Sequence, residues 1–251
     1  MPPSAKTIET HYTSPQKSKS HIAFKGLLDE LSDEEYLLKC TDYNIRLVDS
    51  PRQRSKAGLL IKRMYSWRGY TTDDSAVIPH NPHHLTLEAS REQQLFGTLT
   101  LGIDSKKGLA ADELYKDEIN IFRKKGHKIC EVSKLAIDPQ FGSKELLASL
   151  FHLLYIYAYT LHKVKDAFIE VNPRHAAFYK RMLGFKQVGE KRTCPRVDAP
   201  AVLLHLDLDY MDAQISSFAG SYEFKERSLY SYFFPRHKEK EIQRRFQRCL
   251  N

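Results

Sequence analysis

Two stretches of the chain alternate apolar and polar residues with a period of two: residues 84–88 (HLTLE) and 95–103 (LFGTLTLGI). Such alternation predicts half-buried strands, and the intervening ASREQQ supplies a turn, so the pair reads as an antiparallel hairpin. Further strands are predicted over residues 43–47, 127–137, 166–171, 186–191 and 202–208. Between them the spacing is helical. An acidic helix is predicted over residues 27–38. A second is opened by Ser50 and Pro51 and runs to about residue 65, with proline suited to its first turn. A polar insertion over residues 109–125 ends at Gly126. Residues 144–163 contain the apolar run LLASLFHLLYIYAYTL, which is shorter than the roughly 20 residues a bilayer requires. That run carries His152 and three tyrosines, so it predicts a helix buried against a sheet. The last helix runs from Asn172-Pro173 to Leu183 and stops at Gly184. The order of these elements predicts an α/β fold, a mixed sheet with helices on both faces.

A chain of 251 residues with 41% hydrophobic and 28% charged residues can bury a full core. No linker divides its middle. We expect a flexible tail over residues 1–26, one domain over 27–215 and a C-terminal extension with a basic helix over 216–251. The net charge is +8, and residues 236–248 (RHKEKEIQRRFQR) hold six Lys or Arg against two Glu, half of that excess. A solvated helix face or a surface for an acidic partner accounts for it equally well. No nucleic-acid reader motif accompanies the charge. Cys40, Cys130, Cys194 and Cys249 form no CxxC pair, and the first residues contain no apolar signal segment. Both features predict reduced thiols and a cytoplasmic protein. His80, His83 and His84 lack a catalytic-zinc pattern and an acidic partner, so no metal is expected.

The most specific string is NPRHAAFYKRMLGF, residues 172–185. Asn172 caps, Pro173 opens the first turn, Phe178, Tyr179 and Leu183 recur at helical spacing, and Gly184 stops the helix. By itself this is a well-formed strand–helix–strand. It resembles the second half of the acyltransferase (GNAT) superfamily, which implies that fold and places Tyr179 near the donor sulfur, where a phenol can protonate a departing thiolate or simply pack. The preceding loop departs from the superfamily. DPQFGSKELLA (residues 138–148) has one glycine and no arginine, where coenzyme A enzymes carry a glycine-rich pyrophosphate cradle. The donor expected is therefore an acyl group on the phosphopantetheine of acyl carrier protein, with no permanently bound cofactor.

Two relatives fit that departure. Acyl-homoserine-lactone synthases are similar in having an E-x-S-R strand, here Glu131-Val132-Ser133-Lys134, and an N-terminal Arg, Trp and acidic run, here Arg63, Trp67 and Asp73-Asp74 at different spacing. The resemblance is closer to the long-chain N-acyl amino acid synthases of the FeeM type. It rests on GTLTLGIDSKKGLAADELYKDEI, CEVSKLAID, NPRHAAFYKRMLGF and DAPAVLLHLDL, and covers about residues 43–208. It implies transfer of a long fatty acyl chain from acyl carrier protein to the α-amine of an amino acid, giving a product able to reach membranes.

Such chemistry needs a base for the ammonium, for which Glu131 is the candidate, although a salt bridge to Lys134 or Arg63 is its structural alternative. It needs an oxyanion donor from a bulged central strand, within Ser133, Lys134, Leu135 and Ala136. It also needs a cation for the acceptor carboxylate, from Arg63, Lys134 or, more weakly, Arg174. Trp67 and Asn172 are candidate pocket residues, Trp67 more readily as core. Arg236, Lys238, Arg244, Arg245 and Arg248 are the candidate carrier-protein contacts. The competing expectations are an autoinducer-type synthase using S-adenosylmethionine, and a non-catalytic module that binds an acidic protein.

Overall fold

The computed structural model describes residues 36–72, 76–78, 80–92, 94–221 and 227–250. The expected tail, residues 27–35 of the expected acidic helix, and Asp73-Asp74 lie outside them. The sheet is built from β1 (Tyr36–Lys39), β2 (Asn44–Leu47), β3 (His84–Arg91), β4 (Gln94–Ile103), β5 (Ile129–Ile137), β6 (Asp166–Val171), β7 (Lys186–Gln187), β8 (Arg192–Cys194) and β9 (Ala199–Asp207). Its order is β1-β2-β3-β4-β5-β6-β9-β7, with β8 also paired to β9. The β5–β6 pair is parallel and all the others are antiparallel. Among the described residues, six α-helices accompany the sheet: α1 (Pro51–Trp67), α2 (Asp112–Lys124), α3 (Lys144–Tyr155), α4 (Pro173–Leu183), α5 (Leu208–Phe218) and α6 (Arg236–Leu250). The observed fold is the α/β acetyltransferase type with a mixed central sheet.

Local sequence explains where the helices begin. Ser50 and Gln53 form a reciprocal capping box at α1, with Pro51 in the first turn. Ser143 caps α3 by accepting from the Leu146 N–H at 3.1 Å. Asn172 caps α4, and Gly184, at φ +80°, ends it in the left-handed conformation that favours glycine. Each side-chain cap contributes about 1 kcal/mol.

The two sheet faces carry different helices. Leu60, Ile61 and Met64 of α1 pack on Ala136. Tyr115 and Ile119 of α2 pack on Ile129, Phe168 and Leu203. The remaining helices share the large core on the other face, which includes Cys130, Val132, Ala167 and Ile169. Ile242 and Phe246 of α6 belong to that core, so residues Tyr36–Asn251 form one compact unit that includes the expected C-terminal extension. His152 of α3 secures α6. It is fully buried, its Nδ1 accepts from the Phe234 N–H, and its Nε2–H donates to Glu239 at 2.9 Å.

Four elements differ from expectation. Residues 36–38, expected at the end of the acidic helix, are strand because Leu37 buries alternately beside β2. The expected helix over residues 144–163 turns π-helical over Ile156–Leu161. Helix α5, capped by Asp207, and the short β8 carry too little periodic signal to be seen in sequence.

Candidate active site

Strands β5 and β6 are hydrogen-bonded in register only from Ile129↔Asp166 to Glu131↔Phe168. Beyond that point both continue, β5 to Ile137 and β6 to Val171, without pairing. Parallel neighbours that part in this way leave an opening at the centre of the sheet. A bulge on the opposite edge of β5 steers it outward: Thr100 pairs with Ser133 but Thr98 pairs with Ala136, so β5 holds one extra residue. Lys134 takes up that residue at φ +53°, and its carbonyl accepts from the Thr98 hydroxyl at 2.9 Å. The extra residue reverses the alternation, so odd-numbered Ile129 faces α2 whereas even-numbered Ala136 lies under α1.

The opening is a cavity of about 430 Å³ whose wall includes Glu131, Ser133, Lys134, Leu135, Asn172 and Tyr179. Six of the nine catalytic and substrate residues expected from sequence therefore meet in one place. Three do not. Ala136 is fully buried beneath α1. Arg63 pairs with Asp138 at 2.8 Å on the outside of α1. Trp67 is 68% exposed, neither core nor pocket wall, because it lies on the solvent side of the last turn of α1. Asn172 is committed to capping, with its Oδ1 accepting from the Arg174 N–H.

Glu131 is 5% exposed, and its Oε2 accepts from the Ala111 N–H at 3.1 Å, just ahead of α2. Burial pushes its carboxyl up to about 7, against the lowering effect of that N–H. Of its two structural alternatives, the bridge to Arg63 is excluded by the Arg63–Asp138 pair, whereas Lys134 shares the cavity wall with Glu131 and feels its charge. Burial likewise lowers Lys134, with Arg196 adding to the effect, and raises the Tyr179 phenol to about 12. Tyr179 packs edge-on against Phe151 and Phe178.

Several lining residues were missed from sequence. Arg196, between β8 and β9, reaches back to Glu170 at 2.7 Å, Glu113 at 2.5 Å and the Ala110 carbonyl at 2.7 Å, tying β6 and the start of α2 across the cavity. Arg68, the C-cap of α1, lines the cavity with Tyr65, Tyr70 and His175. No spacing pattern links these positions; only the tertiary fold brings them together. On α6 stands Arg236, one of the candidate carrier-protein contacts. It is held by Asp212 at 2.6 Å and Glu239 at 3.0 Å. Arg245 is held by Glu241 at 2.7 Å and the Tyr36 carbonyl at 3.1 Å. Lys238, Arg244 and Arg248 are exposed.

Among the described residues, no group of three or more His, Cys, Asp or Glu is arranged to hold a metal ion. None of the described helices is long and apolar enough to cross a membrane.

Comparison with known proteins adds the family. The structure of FeeM, an N-acyl amino acid synthase from uncultured soil microbes, matches with 28% identity and a TM-score of 0.64, covering 68% of this chain and 94% of that one. An acyl-CoA N-acyltransferase from Pseudomonas aeruginosa matches with 15% identity and a TM-score of 0.45, covering 65% of this chain and 97% of that one. A CoA-dependent acyl-homoserine lactone synthase, BjaI, matches with 11% identity and a TM-score of 0.45, covering 64% of this chain and 80% of that one. No curated protein matches. The family model for the N-acyl amino acid synthase FeeM matches residues 56–207, which hold every lining residue of the cavity, and the chain belongs to that family of acyltransferases.

Proposed function

We propose that this chain transfers a long-chain acyl group from the phosphopantetheine thiol of acyl carrier protein to the α-amine of an amino acid. The observation that carries the reading is Glu131: a carboxyl in the wall of an otherwise largely apolar cavity, tuned by burial to change charge near neutrality. A base with that property accepts a proton from an α-ammonium without being permanently ionised or permanently neutral. The freed amine attacks the thioester carbonyl, and the oxyanion is met by N–H groups of the bulge from Ser133 to Leu135. The C–S bond then breaks as the amide forms: the departing thiolate takes the Tyr179 proton, and the second proton shed by the acylated nitrogen restores the phenol. Lys134 and Arg68 are the cavity cations suited to the acceptor carboxylate, Arg68 taking the part expected of Arg63.

The choice of a carrier-bound donor is supported by the loop after β5. Its single glycine, Gly142, leads to Ser143, whose hydroxyl already occupies the N–H of Leu146 at the α3 N-terminus. Of this loop and the first turn of α3, only Leu147 lines the cavity. A free nucleotide pyrophosphate has less to hold it there than in a glycine-rich cradle.

The test is to incubate the purified protein with acyl carrier protein thioesters, acyl-CoA thioesters and mixed amino acids, and to identify products by mass spectrometry. N-acyl amino acids formed from carrier-protein thioesters are expected. Absence of product from those thioesters at every chain length would overturn the donor assignment. For the productive pair, kcat/KM should rise as pH increases through about 7, where Glu131 ionises.

A further inference from the structure

Helix α1 contains five basic residues, Arg52, Arg54, Lys56, Lys62 and Arg63, and no acidic one. Its buried stripe, Gln53, Ala57, Leu60, Ile61 and Met64, faces the sheet. Arg52, Lys56, Lys62 and Arg63 are exposed on the other side. Two apolar side chains stand among them, Leu59 and Trp67, each 68% exposed. Val77, 56% exposed, belongs to a segment that runs against the middle of α1, since a Cβ on Gly58 would meet the Ala76 carbonyl at 3.0 Å. Cations in the first turns oppose the helix dipole, and no acid is placed there to offset them. Among the described residues, burial and packing do not account for such a face: it exposes large apolar side chains among cations.

Its position gives the face a use. The last turn of α1 delivers Tyr65 and Arg68 to the cavity, and Arg63 grips Asp138 at the end of β5. The face therefore ends at the wall of the cavity. Helix α6, the other basic helix, contributes no residue to the cavity. It packs on β1 and the π-helical turn, and Arg236 and Arg245 are bound within the chain.

We propose that the exposed face of α1, with Arg52 and Lys56 as its cations and Leu59 and Trp67 as its apolar anchors, docks the acidic acyl carrier protein. The assignment rests on the carrier-protein donor reading above and names the surface that reading requires. Charge complementarity steers the acidic partner to the face, and the two exposed side chains supply the desolvated centre that a rim of charges alone lacks.

The experiment uses the full-length protein and three variants: Arg52→Glu with Lys56→Glu, Trp67→Ala, and, on α6, Lys240→Glu with Arg244→Glu. Circular dichroism checks that each folds. Kinetics are compared between an acyl carrier protein thioester and the same acyl group on pantetheine, which has no protein to dock. Binding of each variant to holo carrier protein and to phosphatidylglycerol vesicles is measured beside the kinetics. The α1 charge reversal should raise KM for the carrier-protein thioester by about tenfold or more, and Trp67→Ala by several-fold. Turnover of acyl-pantetheine should change less than about twofold, as should every parameter of the α6 variant.

Carrier-protein turnover by the parent protein that the α1 variants leave intact would sink the docking surface and spare the donor reading. A larger effect from α6 would have the same meaning. Loss of vesicle binding with unchanged carrier-protein kinetics would make the face a lipid contact instead. A parent protein that uses only acyl-CoA would remove the donor reading, and the docking surface with it.

Discussion

Glu131 and Asp166 stand on adjacent strands, at the two ends of the short paired segment of β5 and β6, and each is 5% exposed. Burial alone would raise both carboxyls. It does so for Glu131, which accepts one backbone N–H and is pushed up to about 7. Asp166 ends below the ordinary carboxylate range: burial raises it, but hydrogen bonds from His205 at 2.7 Å and His127 at 2.6 Å more than offset that. Equal exposure therefore goes with opposite chemistry, set by the partners of each group and by the greater depth at which Glu131 lies. Asp166 sits where the strands are still zipped, and its two imidazole contacts join β5, β6 and β9. Glu131 sits where the strands part, facing a cavity that can hold a reacting molecule.

The largest effect should come from removing each carboxylate's charge and measuring turnover. Glu131→Gln is expected to lower kcat by about 10²–10⁴, the usual contribution of a positioned base. Asp166→Asn should leave kcat within a few-fold. If both variants lost activity equally, the division of roles between them would be wrong.

Stability should divide the other way, with opposite dependence on pH. Asp166→Asn should cost roughly 1–3 kcal/mol at pH 7 by disturbing two buried hydrogen bonds. Because the folded-state value of Asp166 is depressed, its contribution is present above the unfolded pKa, near 3.9, and is lost as pH falls through the folded value. The gap between the parent and Asp166→Asn should therefore close in acid. Glu131 is raised, so the folded protein keeps a proton that the unfolded chain releases above about 4.3. Its stabilising effect is full below that pH and is lost by about 7. Glu131→Gln should escape that loss and gain on the parent between those values, by up to roughly 3 kcal/mol. Urea titrations of both variants across pH 3–8 would show the crossing, and parallel curves would refute the contrast.

Much of this arrangement was legible in the sequence because the signals were local. Alternation gave the β3–β4 hairpin, and Asn172, Pro173 and Gly184 gave both ends of α4. The position of Glu131 on the central strand placed a carboxyl near the site. What escaped was long-range. Arg196 reaches the cavity from the β8–β9 turn, and Arg68 reaches it by following, not belonging to, the regular turns of α1. The basic run on α6 was visible as charge, but its internal partners Asp212 and Glu239 were not. Trp67 was weighed as core, since a lone tryptophan is usually buried, and instead it is exposed.

A smaller effect sharpens the role of Glu131 further. If Glu131 takes the proton of the ammonium and Tyr179 returns one to the thiolate, Tyr179→Phe should lower kcat about tenfold with little change in KM. The phenol, raised to about 12, remains protonated across the working pH range, so its loss should not move the rise in kcat/KM near 7. Pre-steady-state release of the free thiol would locate the deficit at the second step, whereas a lag in amine attack would assign Tyr179 to substrate packing.

The smallest effect comes from a third carboxylate, which limits how far the contrast extends. Asp138 closes β5 beyond the bulge and pairs with Arg63, whose side chain is 58% exposed. A pair this accessible is screened by solvent and contributes under about 1 kcal/mol, so Arg63→Ala should shift the urea midpoint only slightly. It should leave acyl-pantetheine turnover unchanged, since Arg63 does not line the cavity. A large loss with that small thioester would mean that the Arg63–Asp138 pair fixes the end of β5, and with it the bulge beside Glu131. Stability measured in high salt decides the matter. Screening weakens an exposed pair and leaves packing untouched, so a salt-insensitive deficit would make Arg63 part of the scaffold that shapes the site.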